Sequence, residues 1–294
     1  LIFIIFLSTN QSFSKNFIIK DAIDPYCNGI DSEEFFVEKK IKNIEIATNN
    51  PKKWVKNIFS ALVEFNDESS KTENKNWFNY RIKEKYKKYF DSTVLVNFKN
   101  SKTSCKFKAK IKITGDLWWH LDWKRGSALT SIQVKLLDGH INNITRFKLF
   151  LPSAREGGEN EIFVSSLLTE LNFLAPRTSM VKSKINGISG NYIFQEDLRK
   201  EFLENIKLVE GPLLEGDERL TIMLMSDKAI PDLSLSRIIN KNFSLKDTVS
   251  QKTSLLAVSN LNLIYLQHHQ SKTLNHNEMY LPTDRLHVNT EKFF

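Results

Sequence analysis

The sequence is poor in the residues that break or cross-link a chain. Its 294 residues include 10 glycines, 7 prolines and 2 cysteines. So little glycine and proline excludes collagen-like, low-complexity and long flexible-linker organisation. Two cysteines are too few to form a structural zinc site by themselves. Cys27 and Cys105 are either one disulfide in an oxidising compartment or two separate buried thiols. The apolar run over residues 1–7 falls far short of the ~20 residues that span a bilayer. The patterns G-x-S-x-G, H-E-x-x-H, G-x-x-x-x-G-K-[ST] and the dinucleotide fingerprint are all missing. Their absence removes the usual serine hydrolases, zinc proteases, P-loop NTPases and Rossmann enzymes. There is no zinc finger, RNP-type run or basic-aromatic stripe, so nucleic acid is not an expected partner.

What is present is the composition of a globular protein, 41% hydrophobic and 26% charged, sufficient for one large domain or two smaller ones. The net charge of +8 comes from 42 basic against 34 acidic residues. It reflects either lysine- and asparagine-rich codon usage or affinity for anions: nucleotide phosphates, acidic protein or polysaccharide. Residues 1–7, followed by small Ser12 and Ser14 around Phe13, read as the remnant of a secretory signal peptide over 1–14, with a buried N-terminal strand as the alternative. That reading implies export to the periplasm, cell surface or extracellular space, with no stable membrane span after signal removal.

Along the chain, residues 15–50 read as a presequence tail and one or two short elements. Trp54, Ile58, Ala61, Leu62 and Phe65 share one face of a helix over 51–65. Residues 77–90 interleave Trp77, Tyr80, Ile82, Tyr86 and Phe90 with lysines, the pattern of an amphipathic helix or a basic docking surface. A hairpin over 93–98 and 106–113 follows, with Phe107, Ala109, Ile111 and Ile113 inward and lysines outward. Thr114-Gly115-Asp116 is a turn, and the tryptophan-rich stretch 117–123 is a lid, pocket wall or core element. A strand over 131–137 carries Lys135 and turns at Asp138-Gly139-His140. The run from 146 to 218 then reads strand, helix, strand, turn, strand and a polar crossing: 146–151 with Lys148, 161–171, 179–185 and 191–195, ending in Glu196-Asp197-Leu198-Arg199-Lys200. Residues 208–218 read as an acidic loop, and 219–270 as helical.

The wording of that run resembles the CotH family of secreted, kinase-like spore-coat proteins and their relatives. The resemblance rests on Leu171-Asn172-Phe173-Leu174-Ala175-Pro176-Arg177-Thr178, on Ile185-Asn186-Gly187 and on Ile193-Phe194-Gln195-Glu196. It covers residues 110–218. Where the family has arginines before a glycine turn, this chain has Lys110 and Lys112, which keep the charge and lose the guanidinium fork. The resemblance implies an α+β, two-lobed protein-kinase-like fold, cut at both ends. In that division residues 1–14 are the signal remnant and 15–90 an N-terminal segment. Residues 91–200 are the complete small lobe and 201–294 the truncated start of a helical lobe.

It also implies an exported kinase moving phosphate from ATP with Mg²⁺ (or Mn²⁺) to a hydroxyl on a protein substrate at the cell surface or envelope. The alternative is a non-catalytic cell-surface or coat-assembly binding protein. Phosphoryl transfer needs a phosphate lysine, a helix carboxylate to orient it, a hinge, a proton acceptor and a metal ligand. Lys135 or Lys148 is the candidate lysine, Glu159, Glu161 and Glu170 offer the helix carboxylate with Glu161 the one chosen, and Glu196 and Asp197 sit where the hinge would be. The family's catalytic aspartate has no counterpart near 271–280. His268 or His269 is the candidate proton acceptor and Asn275 or Asn277 the candidate asparagine. The metal-binding aspartate is expected beyond residue 294.

Overall fold

A computed structural model describes residues 18–24, 26–27, 40–71, 81–99, 101–124, 127–217 and 235–273. Period-two alternation dominates it. In β4 (Thr103–Ile113), Phe107, Ala109, Ile111 and Ile113 are buried and Lys106, Lys108 and Lys110 are exposed. The alternation recurs in β2 (Ile41–Thr48) and in most of β9 (Thr178–Ile185), while β3 (Phe90–Phe98), β7 (Ile132–Leu136), β8 (Arg146–Phe150) and β10 (Ile188–Glu196) carry consecutive buried residues where both faces are covered. These strands hydrogen-bond in the order β4-β3-β2-β9-β10-β8-β7, and β7 pairs back onto β4. The result is a closed seven-stranded barrel. Every pairing within it is antiparallel except that of β2 with β9. Closure leaves no barrel strand with an open edge to template aggregation.

This barrel corrects the expected two-lobed, kinase-like α+β fold. The molecule is mostly β, with a few helices. The expected local order is present: β8, then α2 (Glu159–Glu170), then β9 and β10. What changes the architecture is β2, which inserts between β3 and β9, together with the β4–β7 ladder. β2 reads poorly in sequence because its pairing to β3 slips between Ile41 and Asn43. That irregularity breaks the alternation ahead of Ile44 and Ile46.

The first helix, α1 (Pro51–Lys71), follows from local chemistry. Lys53 N–H donates to Asn50 Oδ1 at 2.9 Å and Pro51 occupies the first turn, where its missing N–H costs nothing. Trp54, Ile58 and Ala61, spaced four and three apart, join the barrel's apolar core, and Trp54 meets Phe90 edge-on at 5.2 Å. The expected helix over 77–90 is reduced to one 3-10 turn at Glu84–Tyr86 among the described residues. Glu64 of α1 holds this segment, accepting from Lys83, Lys85 and the Tyr86 hydroxyl. Those hydrogen bonds keep its carboxyl at about 2.

The edge strand β1 (Ile18–Asp21) lies parallel on the first half of β4, and a Cys27–Cys105 disulfide fastens the segment after it. A hairpin of β5 (Leu121–Lys124) and β6 (Ser127–Thr130) sits by α1, where Trp123 meets Phe59 at 5.9 Å. After the barrel come α3 (Lys200–Asn205), a hairpin of β11 (Leu214–Asp217) with β12 (Leu235–Ile238), α4 (Lys241–Ser244) and α5 (Thr248–Thr273). The hairpin replaces part of the expected acidic loop and part of the expected helical stretch. No helix among the described residues is long and apolar enough to cross a membrane.

Candidate functional site

The outward positions of four barrel strands form one polar face. Lys112 of β4 lies opposite Gln133 of β7, Gln133 opposite Lys148 of β8, and Lys148 opposite Gln195 of β10. A second row places Lys110 opposite Lys135 and Lys135 opposite Arg146. Sequence reasoning found the two lysines separately. The register is what sets Lys148 among partners and leaves Lys135 exposed between two other cations.

Asp197 organises this face. It is 5% exposed and accepts from Gln133 Nε2 at 2.9 Å and Arg199 Nε at 3.2 Å, with Lys148 Nζ 3.4 Å from its other oxygen. A carboxylate this buried persists because three donors surround it. Gln133 is itself aligned by the Tyr89 hydroxyl at 3.3 Å, and Lys112 lies 5.1 Å over the Tyr89 ring. Burial pushes the Lys112 ammonium below the ordinary lysine range, and Lys87 and Arg146 push the same way.

Glu161, in the first turn of α2, reaches the same face. It accepts from Gln195 Nε2 at 2.6 Å and lies 3.6 Å from Arg155, whose guanidinium stacks over Phe150 at 4.3 Å. Gly158, just ahead of α2, has φ 82°, and a side chain there would run into Ile193 of β10; glycine therefore lets the helix sit close to this strand. Lys148, Glu161 and Asp197 thus lie on one face, with Lys148 beside Asp197, Gln133 bonded to Asp197 and Gln195 to Glu161.

Glu196 does not join them. It faces the other side of β10, is 4% exposed, and is held by Arg177 through hydrogen bonds of 2.8 and 3.1 Å. Arg177 also donates to the Asn142 carbonyl at 2.8 Å. The backbone N–H groups where a hinge would bind adenine are engaged by the sheet: Glu196 N–H donates to Arg177 O and Asp197 N–H to Arg146 O, both at 3.0 Å. His268 and His269 fall in the last turns of α5, outside the residues whose side chains are described, and Asn275 and Asn277 lie outside the described residues. Gln133, Gln195, Arg155 and Arg199 escaped sequence reasoning. The outward phase of β7 and β10 was the available signal for the glutamines, and it acquires meaning only with the strand order.

A family of metal-dependent kinases would require Mg²⁺ ligands. Among the described residues there is no group of three His, Cys, Asp or Glu side chains that could hold a metal. The two carboxylates on this face are each engaged by cationic or amide donors. Mg²⁺ is usually held by one or two carboxylates together with substrate phosphates, and on this face Asp197 and Glu161 are the carboxylates, already accepting from Gln133, Arg199 and Gln195. On this face Lys148 and Arg199 pair with Asp197 and Arg155 with Glu161, with Lys112 in the same row. No protein-family model and no curated protein matches this sequence.

Proposed function

We propose that this chain is an exported, CotH-like protein that binds the phosphates of a nucleotide on the outer face of β7, β8 and β10. On this reading the binding serves transfer of phosphate from ATP to a protein hydroxyl. The observation that carries the reading is Lys148, a half-buried ammonium on a central strand, with Asp197 at 3.4 Å and Gln195–Glu161 beside it. A polyphosphate brings several negative charges to a face whose four cations outnumber its two carboxylates. Lys148 would trade its long contact with Asp197 for a phosphate oxygen, and Asp197 and Glu161 would keep the remaining cations in place. The Cys27–Cys105 disulfide supports export, because such bonds persist in oxidising compartments.

A second reading, binding without catalysis, is favoured by the saturation of both carboxylates on this face. The test is titration of ATP and of inorganic tripolyphosphate into the chain and into Lys148→Ala and Lys135→Ala variants. Loss of Lys148 removes a charge-assisted contact of roughly 1.5–3 kcal/mol, about ten- to hundredfold in affinity. Lys135→Ala is expected to change affinity far less. If ATP binds and Lys148→Ala leaves it unchanged, the site assignment is wrong. Transfer of labelled γ-phosphate to protein by the purified protein, and its absence, separate the two readings.

A further inference from the structure

Helix α2 turns its apolar side away from the barrel. Phe163, Val164 and Leu167, with Leu171 on the closing turn, fall within one stripe about 100° wide. A stripe of that width on a surface helix normally packs on the core. Here it faces solvent: Phe163 is 66% exposed, whereas Ser165, on the opposite side, is 8% exposed. Leu174, in the loop after the helix, is exposed as well, and so is Met180 of β9, whose tip lies near Gly158 at the head of α2.

The size of this patch points to what covers it. Its six apolar side chains expose roughly 600 Å², the top of the range for the largest patch on a monomeric protein. Two copies set face to face would remove about 1,200 Å² from water, above the ~1,000 Å² that a specific interface must reach. The charges also favour a second copy. α2 contains no lysine or arginine, so it lacks the basic flank with which interfacial helices hold an anionic lipid surface. The rim of the patch instead carries both signs. Glu159 and Glu170 edge the stripe on the helix, and Lys182 projects from the same side of β9 as Met180. An apolar centre with a rim of mixed sign can complement its own copy.

We infer that this face binds a second copy of the chain, α2 against α2, about a two-fold axis that passes near Leu167. The two helices run antiparallel, so Phe163 of one copy packs against Leu171 of the other. Lys182 of each copy meets the acidic edge of the other's helix. This pairing uses none of Lys148, Glu161 and Asp197, so it stands independently of phosphate binding.

The experiment is sedimentation equilibrium of the full chain, with circular dichroism to check the fold. The parent is expected to be a dimer at micromolar concentration. Phe163→Glu/Leu167→Glu is expected to keep the parent's spectrum and to associate at least tenfold more weakly, because association would bury unpaired carboxylates. Should that variant fail to fold, Leu167→Cys decides. Its two copies would lie together at the axis, so mild oxidation is expected to join the chains. The same treatment of Val209→Cys, in an exposed loop, is expected not to. A monomer at every concentration would overturn the inference and leave the face to another segment of this chain or to a different protein. A dimer undisturbed by the two glutamates, or equal cross-linking of the two cysteine variants, would overturn it too.

Discussion

His120 shows how one buried side chain ties solvent pH to the fold. It is 7% exposed, its ring packs against Gly115 at φ 91°, and its Nδ1 lies 2.9 Å from the Ser131 hydroxyl. Ser131 Oγ also accepts from Leu151 N–H at 2.9 Å, so its hydroxyl hydrogen is directed to an unprotonated His120 nitrogen. Burial, with help from the positive charge of Arg155, holds the imidazole down at about 4. Between pH 6.5 and 4 the unfolded chain therefore binds more protons at this residue than the folded chain does. Its contribution to stability is complete above pH 6.5 and is lost as pH falls to about 4, a change of about 3 kcal/mol. Urea unfolding at pH 7, 5.5 and 4 is expected to show this loss in the parent. A His120→Gln variant, less stable at neutral pH, is expected to lose correspondingly less. Identical pH slopes in the two proteins would assign the acid sensitivity to other groups.

At the scale of the element, β10 ends by sending adjacent carboxylates in opposite directions. Glu196 is the barrel-side end of an ion pair and Asp197 the outer hub of the polar face. Arg177 precedes β9, so its bond to Glu196 fastens the entry of one strand to the exit of the next. Arg177→Ala would leave Glu196 buried and unpaired, at a cost of about 3–5 kcal/mol. Adding Glu196→Gln to that variant is expected to recover part of the loss, because an amide costs less to bury than a carboxylate. Thermal melting of the single and double variants checks this. If Arg177→Ala melts with the parent, the pair does not hold the strands together.

For the whole molecule, the disulfide has the longest reach. It joins residues 78 apart and ties the segment after β1, an edge strand with exposed Ile18 and Ile19, to the buried start of β4. Cross-links that close loops this long stabilise mainly by restricting the unfolded chain, typically by about 2–4 kcal/mol. Replacing both cysteines with serine is expected to lower stability by that amount. It is also expected to raise hydrogen exchange in residues 18–21 before the rest of the barrel. Uniform exchange across the barrel in the variant would show that the disulfide supports the core globally rather than holding the edge.

The sequence by itself determined the local elements where their period was unbroken. The α1 stripe of Trp54, Ile58 and Ala61, the alternation of β4, the Asp138-Gly139-His140 turn and the order β8, α2, β9, β10 are all written in spacings of two, three and four residues. It also supplied Lys148, Glu161 and Asp197 as candidates. Only the tertiary structure decided that the sheet closes, because closure depends on which strands pair across long separations. Its key member, β2, reaches β9 through a parallel ladder more than a hundred residues away in sequence. Register likewise decided that Lys148 rather than Lys135 sits beside Asp197, that Glu196 and Asp197 part company, and that Cys27 meets Cys105. Each of these depends on which strands lie side by side, and one strand's pattern of residues does not encode its neighbour.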